Sequence, residues 1–400
     1  MYNMKILFLT HRVAYPPNKG DKLRAFNIIK HLSGQHSIHL ACVTENRDEL
    51  KYANELTAYC KSVNIVYMGV IWRKIKSLFC LLSGRPLTLP YFYSYRLHKK
   101  IKESINTEKY GLIYIYSSSM AQYVLDINGI PKIMDFIDVD SEKWRQYSQY
   151  TGFPLNIVYK LESRRLRKYE EKIANLVDHC IVVSQEERAL FKSFLRSTAD
   201  EKISVVSNGV DFQYFKPASL SYEKGRLIFT GAMDYFANVD AILYFYKEIF
   251  PLIKKQVPLV KLYIVGSNPA GEIKKLAADK DVIVTGFVKD IRPYLEKSAV
   301  CVVPLRIGRG IRNKILEAMS MGVPVVAMSE AVFGIEAKDN EELFVEDNPG
   351  DFVERTIALL KDQDLRLRLS QNGRKFIENN YNWGSNLAKL DTIIERLVNG

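Results

Sequence analysis

Short apolar runs of strand length alternate with segments of helical periodicity along most of the chain. Such βα alternation predicts a mostly parallel sheet covered by helices. The pattern occurs twice, so we expect an α/β protein with two Rossmann-like halves. The predicted strands are 6–9, 38–43, 112–115, 132–136, 180–183 and 203–206 in the first half, and 227–229, 262–265, 282–284, 300–303, 323–327 and 343–345 in the second.

A polar stretch at 211–222 separates the two halves. It holds no apolar run of strand or helix length, contains Pro217 and is followed by Gly225, which is typical of a linker. We therefore expect an N-terminal domain at 1–217 and a C-terminal domain at 218–382. Apolar residues then recur at helical spacing and predict a final helix at 383–400, at Leu387, Leu390, Ile394 and Leu397.

Composition narrows the class of protein. With 400 residues, 47% of them apolar and 26% charged, the chain has the composition of a globular protein, not of a disordered or fibrous one. Five cysteines lie far apart without a Cys-x-x-Cys pair, which argues against a disulfide framework and favours a reducing, cytoplasmic compartment. No apolar stretch approaches the roughly 20 residues that cross a bilayer, and the first apolar run is too short for a signal peptide.

The chain is basic, with a net charge of +12 that favours polyanions such as nucleotides or anionic lipid. One segment is also amphipathic, since Ile71, Ile75, Leu78, Phe79 and Leu82 share a helical face while Arg73, Lys74, Lys76 and Ser77 share the other. The stretch from Trp72 to Lys102 carries eight Lys or Arg and no acidic residue. This pattern is typical of an anionic membrane interface, and equally of a core-packed helix with a solvated basic face.

Two loops that follow predicted strands could bind ligands, because ligands of open α/β sheets lie beyond the carboxyl ends of the strands. The first loop runs from His11 to Asp21 and places Gly20 directly before a helix. A glycine there lets an anion approach the helix N-terminus, although a plain turn has the same pattern.

The second loop, at 304–312, leads into a helix and is richer in candidate chemistry. Gly308 and Gly310 precede the helix, Arg312 and Lys314 supply two cations, and Glu317 lies one turn further on. Glycines, cations and a helix dipole together suit a diphosphate, and a carboxylate suits a ribose diol. The alternative is a surface helix with an ordinary Lys–Glu pair.

This second segment, Pro-Leu-Arg-Ile-Gly-Arg-Gly-Ile-Arg-Asn-Lys-Ile-Leu-Glu at 304–317, resembles the donor-binding motif of retaining GT-B glycosyltransferases of family four. Val-Val-Ser-Asn-Gly-Val-Asp at 205–211, with Phe215 and Pro217, resembles the interdomain signature of that family. The stretches 262–266, 284–288 and 381–383 also fall where the family has its motifs. Within the family, the stretches 16–24, 117–123 and 135–144 are most similar to sugar transferases of PEP-CTERM/exosortase exopolysaccharide systems.

The resemblance implies a GT-B fold with two domains facing across a cleft and a last helix that crosses back to the N-terminal domain. It implies a retaining, hexosyltransferase-type enzyme (EC 2.4) that moves a sugar from an NDP-sugar to a glycan or lipid-linked acceptor in polysaccharide synthesis, without a metal or cofactor. The implied donor-binding residues are Gly20, Gly266, Arg309, Gly310, Ile311, Arg312, Asn313, Lys314 and Glu317. Our candidate catalytic residues are Asp138, Asp140, Arg312 and Lys314, and our acceptor-side candidates are His11, Asn18, Lys19 and Asp138.

The chain departs from the family pattern in three places. Arg309 occupies the position of the first of two glutamates, which favours an acidic or differently substituted donor sugar. The loop 231–238 lacks the usual basic pair, for which Arg312 and Lys314 are the candidate replacements. Asp138 and Asp140 follow a strand where the family commonly has a histidine, and either carboxylate could instead cap the next helix.

Two other functions compete with transfer: an NDP-sugar epimerase of the same architecture, and a non-catalytic lipid- or nucleotide-binding protein. The segment 72–102 favours a polyprenyl-linked acceptor and peripheral contact with the inner face of the cell membrane, while the absence of a base-reading motif disfavours nucleic acid. Two features are assigned to structure: Ser184 with Glu187 as a capping box, and the charged run 164–172 as a solvated helix face.

Overall fold

The computed structural model describes residues 3–81, 83–195, 200–218 and 222–399. The chain divides into two compact units, Met1–Ser207 with Gly384–Gly400, and Asn208–Trp383. The described part of the polar stretch 211–222 therefore belongs to the second unit.

The first unit is built on a parallel sheet in the order β3-β2-β1-β4-β5-β6-β7. Its strands are β1 (Lys5–Thr10), β2 (Ser37–Thr44), β3 (Ser62–Tyr67), β4 (Leu112–Tyr116), β5 (Lys132–Ile137), β6 (His179–Val182) and β7 (Ile203–Val205). The sequence pattern missed β3. This edge strand places Ser62 and Asn64 among its apolar residues and buries only Val66 fully, so it lacks the continuous apolar run of a central parallel strand.

Helices cover both faces of this sheet. They are α1 (Gly20–Ser33), α2 (Ala53–Leu56), α3 (Val70–Phe79), α4 (Thr88–Phe92), α5 (Tyr95–Thr107), α6 (Asp140–Tyr150), α7 (Leu155–Leu176) and α8 (Gln185–Phe194), with short 3-10 turns at Arg47–Tyr52, Ser118–Tyr123 and Asp200–Lys202. The chain's last helix, α17 (Trp383–Asn399), groups with this unit from Gly384 onward. It contacts α1 through the His31 imidazole, whose Nε2 lies 2.9 Å from both carboxylate oxygens of Asp391.

The second unit repeats the plan, with a parallel sheet in the order β10-β9-β8-β11-β12-β13. Its strands are β8 (Arg226–Thr230), β9 (Lys261–Val265), β10 (Val282–Gly286), β11 (Val300–Val303), β12 (Val325–Ala327) and β13 (Phe344–Val345). Its helices are α9 (Phe236–Tyr244), α10 (Phe250–Gln256), α11 (Gly271–Lys275), α12 (Arg292–Glu296), α13 (Asn313–Ser320), α14 (Ser329–Val332), α15 (Pro349–Lys361) and α16 (Gln363–Asn380), with a π-helical turn at Phe245–Ile249 and a 3-10 turn at Leu276–Ala278.

The prediction of two Rossmann-like halves is confirmed, and each of the twelve predicted strands is present with both ends within two residues of the predicted ones. The strand order reverses between β1 and β4 in one sheet and between β8 and β11 in the other. At such a switch point the two loops that leave the sheet diverge and open a crevice for ligands. Among the described residues, no helix is long and apolar enough to cross a membrane.

The amphipathic helix α3 turns its aliphatic side toward solvent. The alternative that this side packs into the core is therefore wrong for the residues whose side chains the structure describes. Ile71 is 73% exposed and Ile75 40% exposed, whereas Arg73 of the opposite face is 3% exposed. Arg73 Nε donates to the Tyr91 carbonyl at 2.7 Å, and its guanidinium lies 4.0 Å from the Tyr91 ring centroid. The other predicted members of the apolar face, Leu78, Phe79 and Leu82, lie outside the described side chains.

The two structural assignments hold only in part. Ser184 does cap α8, since its Oγ accepts from the Glu187 N–H at 3.1 Å, but the Glu187 carboxylate accepts from the Val139 N–H of another segment. In the charged run of α7 the basic side chains of Arg164, Arg167 and Lys168 are exposed, but its carboxylate at Glu170 is fully buried.

Candidate functional site

The loop after β11 and the start of α13 form the donor-side candidate. The guanidinium of Arg312 folds back over Gly308, where an added Cβ would lie 1.7 Å from Nη2. Arg312 is the N-cap residue of α13 and makes no side-chain capping bond, so its guanidinium does not satisfy the helix end. Its Nε and Nη2 atoms are buried and have no hydrogen-bond partner among the described residues. A buried donor pair without an acceptor is costly in isolation, which favours an anionic ligand here.

Lys314 lies in the same cluster. Its Nζ donates to Asn238 Oδ1 at 2.8 Å and lies 3.8 Å from the centroid of the Phe229 ring. Burial, together with the neighbouring charge of Arg312, lowers the pKa of the Lys314 ammonium to about 7. An anion that binds these two cations relieves both the burial and the repulsion.

The position of Lys314 bears on the basic pair missing from the loop 231–238. Asn238 is the last residue of that stretch and lies in the first turn of α9, and a Cβ on Gly231, the first residue of the stretch, would lie 3.1 Å from the Lys314 Nζ. A lysine on α13 therefore puts its ammonium beside the loop after β8. This placement is the one that our replacement hypothesis requires of Lys314.

Glu317 and Asn313 lie on the same helix. Burial raises the pKa of the Glu317 carboxyl to about 7, with the nearby Lys314 ammonium opposing the shift. Asn313 Oδ1 accepts a hydrogen bond from Asn208 Nδ2 at 3.3 Å. The carboxyl of Glu317 therefore titrates near neutral pH and can either accept from or donate to a sugar hydroxyl.

The remaining donor-side candidates differ in their surroundings. An added Cβ on Gly266 would lie 1.7 Å from the Gly231 carbonyl oxygen, so close packing of the loops after β8 and β9 is sufficient to require this glycine. Gly310 has a φ of 71° and Ile311 is buried. Arg309 is 9% exposed, and its guanidinium lies 4.4 Å from the Phe333 ring centroid.

The acceptor-side candidate lies at the carboxyl ends of β1, β4 and β5 in the first unit. His11 follows β1, and its ring stacks on Tyr116 of β4 at 6.1 Å between centroids. Its Nε2 lies 3.5 Å from Asp21 Oδ2, while its Nδ1 is buried with no hydrogen-bond partner among the described residues. The His11 hydrogen bond and the Arg12 guanidinium hold the pKa of Asp21 well below its usual range, although burial opposes them.

This pair has the arrangement of a carboxylate that orients an imidazole. If Nε2 carries the proton toward Asp21, Nδ1 of His11 is left as an acceptor. The ring nitrogen could then receive a proton from a hydroxyl group. Arg12 Nη1 lies 3.1 Å from the same Asp21 oxygen and helps to keep the carboxylate ionised.

Asp140 is the first residue of α6, and the alternative that it caps this helix is not what the structure shows. Its Oδ2 accepts from Ser118 Oγ at 3.0 Å and its Oδ1 from Lys143 Nζ at 2.8 Å. The N-cap position belongs to Val139, which makes no side-chain bond. Burial raises the pKa of Asp140, but Lys143, His11 and Ser118 outweigh it, so that the pKa lies below its usual value.

Two buried glutamates hold the turn that carries Asp140. Glu187 Oε2 accepts from the Val139 N–H at 3.1 Å, and Glu170 Oε1 accepts from the Ser141 N–H at 3.0 Å. Both glutamates are completely buried. The backbone on each side of Asp140 is thus fixed by a separate helix, α8 for Glu187 and α7 for Glu170.

The turn that precedes Asp138 is also strained. Ile137 has a φ of 64° and Ser117, at the end of the neighbouring β4, has a φ of 79°. A positive φ is unfavourable for a β-branched side chain, and such strain concentrates at functional sites. The Ile137 N–H donates to Asp135 Oδ1 at 3.0 Å, which secures the turn, and Asp138 follows it half-buried.

The other acceptor-side candidates lie on the loop before α1. Asn18 and Lys19 are exposed, and Lys19 is the N-cap residue of α1 without a side-chain capping bond. Gly20 is the first residue of that helix. Gly20 is exposed, and its role at a phosphate-binding helix end stays a prediction.

Several residues of these two sites were not among the candidates from the sequence, including Asp21, Tyr116, Ser118, Lys143 and Asn238. Asp21 directly follows Gly20 in the first candidate loop, so it was the easiest of them to find. Lys143 lies three residues from Asp140 on the same helix. Tyr116, Ser118 and Asn238 act through contacts between segments that are distant in sequence, such as Asn238 with Lys314.

Comparison with known proteins shows the family to which this chain belongs. Residues 23–214 match the family model described as Glycosyltransferase Family 4, and residues 224–362 match the model described as Glycosyl transferases group 1. An uncharacterized glycosyltransferase of Methanocaldococcus jannaschii, MJ1069, is 25% identical over 267 residues, which cover 60% of this chain and 66% of that protein.

Two further relatives match nearly the whole chain. The UDP-Gal:alpha-D-GlcNAc-diphosphoundecaprenol alpha-1,3-galactosyltransferase of Escherichia coli is 22% identical over 392 residues, which cover 91% of this chain and 90% of the enzyme. The crystal structure of Anabaena Alr3699/HepE in complex with UDP and glucose has a TM-score of 0.69 at 14% identity and covers 98% of this chain and 100% of that one. The chain therefore belongs to the glycosyltransferases, with a family 4 domain followed by a group 1 domain in a GT-B fold.

Proposed function

We propose that this glycosyltransferase moves a hexose from an NDP-sugar to a lipid-linked glycan with retention of anomeric configuration, in the synthesis of a cell-surface polysaccharide. The observation that carries the donor class is made at Arg312, whose Nε and Nη2 atoms are buried without a hydrogen-bond partner among the described residues, beside the Lys314 ammonium. A sugar diphosphate supplies the negative charge that both cations lack. Glu317 would bind the ribose, and no metal is needed to neutralise the leaving group.

On the acceptor side, we assign the orientation of the attacking hydroxyl to His11, Asp138 and Asp140, with Asn18 and Lys19 at the rim. A strong protein base is unnecessary if a donor phosphate oxygen helps to take the hydroxyl proton in a front-face reaction. The lipid-linked acceptor is supported by the name of the Escherichia coli relative, whose acceptor is a diphosphoundecaprenol-linked sugar. A place in exopolysaccharide systems of the PEP-CTERM type rests on the motif resemblance alone.

We further propose that the enzyme works in the cytoplasm, at the inner face of the cell membrane. Its five cysteines carry free thiols, which suits a reducing compartment. The exposed Ile71 and Ile75 of α3, next to the basic stretch 72–102, support contact with an anionic lipid surface.

The donor site is tested by a thermal-shift screen of UDP, GDP, ADP and CMP and their sugars against the wild type and Glu317→Ala. A ligand that binds only the native state raises the melting temperature, so one nucleotide should stabilise the wild type and not the variant. If no nucleotide stabilises the folded wild type, the proposed donor site is wrong. With the donor known, product analysis separates the alternatives, because an epimerase converts the NDP-sugar without an acceptor.

A further inference from the structure

The turn between α6 and α7 and the first residues of α7 expose three large apolar side chains within five residues. Phe153 is 81% exposed, Leu155 49% and Ile157 57%. Single exposed apolar residues are ordinary on a protein surface, but a cluster at the tip of a helical hairpin marks a contact with another apolar phase. None of the site residues described above lies in this apolar tip, which we define as Phe153, Leu155 and Ile157.

A basic stripe continues from the apolar tip along α7. Lys160, Arg164 and Lys168 recur every four residues on one helical face and are all exposed. At about 1.5 Å of rise per residue, Lys160, Arg164 and Lys168 follow Ile157 by about 5, 10 and 16 Å along the helix axis. The positive charge therefore begins at Lys160, about one helical turn after the apolar tip.

The only acidic residue between Lys143 and Lys168 is unavailable to this surface. Glu162 is 1% exposed, and its carboxylate accepts hydrogen bonds from the backbone N–H groups of Leu87 and Thr88 and from the Thr88 hydroxyl. The basic stripe therefore has no compensating acidic residue exposed on its own helix within this range. Its charge complements an anionic surface.

The same contacts fasten the amphipathic segment to α7. Besides the bonds of Glu162 to the start of α4, the Arg165 guanidinium donates to the carbonyls of Cys80, Leu81 and Arg85 just after α3. The segment that follows the outward-facing α3 is thus fixed to the helix that carries the apolar tip. A partner that meets α7 meets a rigid surface instead of a loose loop.

We propose that the apolar tip and the basic stripe of α7 form the membrane anchor of this protein, with the tip inserted into the acyl boundary of an anionic bilayer and the stripe against the lipid phosphates. Interfacial elements bury their apolar side about 5–10 Å deep, and basic residues just behind that side add electrostatic affinity. A protein partner would not need a purely basic flank around so small an apolar cluster.

The anchor has a consequence for the reaction that rests on the proposed function. α6 begins at Asp140 and ends at Tyr150, shortly before the tip, so about 15 Å of helix separates the acceptor-side carboxylate from the membrane-facing turn. An acceptor whose diphosphate lies at the level of the lipid headgroups would then be within reach of the acceptor side. The anchor itself is independent of which sugar is moved.

The experiment measures sedimentation of the full chain with phosphatidylcholine vesicles that do or do not contain phosphatidylglycerol. We expect binding only to the anionic vesicles. In the triple variant Phe153→Ser, Leu155→Ser, Ile157→Ser, we expect the affinity for these vesicles to fall by about tenfold or more. Lys160→Gln, Arg164→Gln, Lys168→Gln should weaken binding and flatten its dependence on salt. Leu259→Ser is the matched control, because Leu259 is 85% exposed in the second unit and should not affect binding.

Three outcomes would contradict the proposed anchor. The first is a wild type that does not bind anionic vesicles, and the second is a tip variant that binds them as tightly as Leu259→Ser does. The third is that Ile71→Ser with Ile75→Ser abolishes vesicle binding while the tip variant still binds. Thermal melting checks that each variant is folded. Transfer to a short-chain, water-soluble acceptor separates this proposal from the proposed function. The tip variant should keep that activity, whereas a wild type that binds vesicles but transfers no sugar contradicts only the proposed function.

Discussion

Arg24 and Asp135 form an ion pair in which neither side chain is exposed to solvent, with Nε and Nη2 of Arg24 donating to Asp135 Oδ2 at 3.0 and 2.9 Å. The same oxygen accepts from the Tyr114 hydroxyl, and the other oxygen accepts from the Ile137 N–H. Because Ile137 directly precedes Asp138, the pair supports the strained turn from beneath. The network is thus a structural support for the acceptor side.

Removing one partner of this pair should be severely destabilising. Asp135→Ala leaves a buried guanidinium without its counter-ion, which costs about 3–5 kcal/mol of unfolding free energy. Urea denaturation measures the loss, and Glu103→Ala is the control, since the exposed Lys99–Glu103 pair contributes about 0–1 kcal/mol. A loss at Asp135 as small as that at Glu103 would contradict the supporting role.

The stability of the protein should depend on pH through Glu170. Burial raises the pKa of this carboxyl from 4.5 to about 8, with Asp140 and Glu187 opposing its ionisation further. Between these values the native state holds a proton that the unfolded state has released, so the free energy of unfolding falls as pH rises from about 5 to 8. The slope should reach at most about 1.4 kcal/mol per pH unit, which is the value for one proton.

Denaturation at several pH values checks this slope. Glu170→Gln keeps a hydrogen-bonding side chain without a titrating proton, so its stability should vary less over the same window. Glu171→Gln, one residue along α7, should behave like the wild type. Parallel curves for all three proteins would show that Glu170 is not protonated in the native state.

Nucleotide binding should weaken as pH rises above 7. The Lys314 pKa of about 7 means that the free protein has lost part of this charge at neutral pH, and a bound diphosphate restores it by taking up a proton. Affinity should fall by up to about tenfold per pH unit above 7 until the pKa of the complex is reached. Calorimetry in buffers of different ionisation enthalpy measures the proton uptake.

The pKa of Glu317 is also about 7, so its contribution to the pH dependence of nucleotide binding must be distinguished from that of Lys314. Glu317→Gln should bind more weakly and still take up the proton, whereas Lys314→Met should lose both the uptake and the decline with pH. If Lys314→Met keeps the wild-type pH profile, another group is responsible.

Gly266→Ala should be destabilising by about 1–3 kcal/mol, because its Cβ would overlap the Gly231 carbonyl oxygen at 1.7 Å and force the loops after β8 and β9 apart. Gly271→Ala is the control. A Cβ at Gly271, the first residue of α11, meets no atom within 4 Å, and that change should be neutral or stabilising by about 0.5–1 kcal/mol. Thermal denaturation of the two variants should therefore shift in opposite directions or by clearly different amounts.

Transfer should depend on the His11–Asp21 pair. His11→Ala removes the imidazole that could receive a proton, which lowers the turnover number by about a hundredfold for a general base or by less for an orienting group. Asp21→Asn should lower it less, since the ring remains but its orientation is weakened. Steady-state kinetics measures the turnover number of each variant, and an unchanged melting temperature shows that the variant is folded. A wild-type turnover number in His11→Ala would show that His11 is not part of the site.

The alternation of apolar runs was sufficient for the architecture, because a parallel strand buried on both faces needs a continuous run such as Val300–Val303. It was insufficient for the edge strand Ser62–Tyr67, which is half-covered and carries polar residues. The sequence also predicted that Gly308, Gly310, Arg312, Lys314 and Glu317 lie near one another, because all five fall within ten positions on one loop and helix. Residues so near one another in the sequence lie near one another in space in any fold that keeps this loop and helix.

Periodicity alone could not say which way a helix faces. The pattern of α3 separates Ile71 from Arg73 correctly, but the carbonyl of Tyr91 and its ring bind Arg73 inward and leave Ile71 in solvent. In the same way, Asp140 has the sequence of a helix cap, yet Ser118 and Lys143 hold its carboxylate.

By itself, the sequence determined two parallel α/β sheets and a loop and helix that carry glycines, cations and a carboxylate close together, because strand patterns and loop motifs are short-range properties. Only the tertiary structure decided that Asp21 lies beside His11 and that the buried Glu170 and Glu187 hold the backbone around Asp140. It also decided that the apolar tip at the start of α7 is exposed to solvent. These relationships depend on which segments the fold brings together, and on the burial that shifts pKa values once water is excluded.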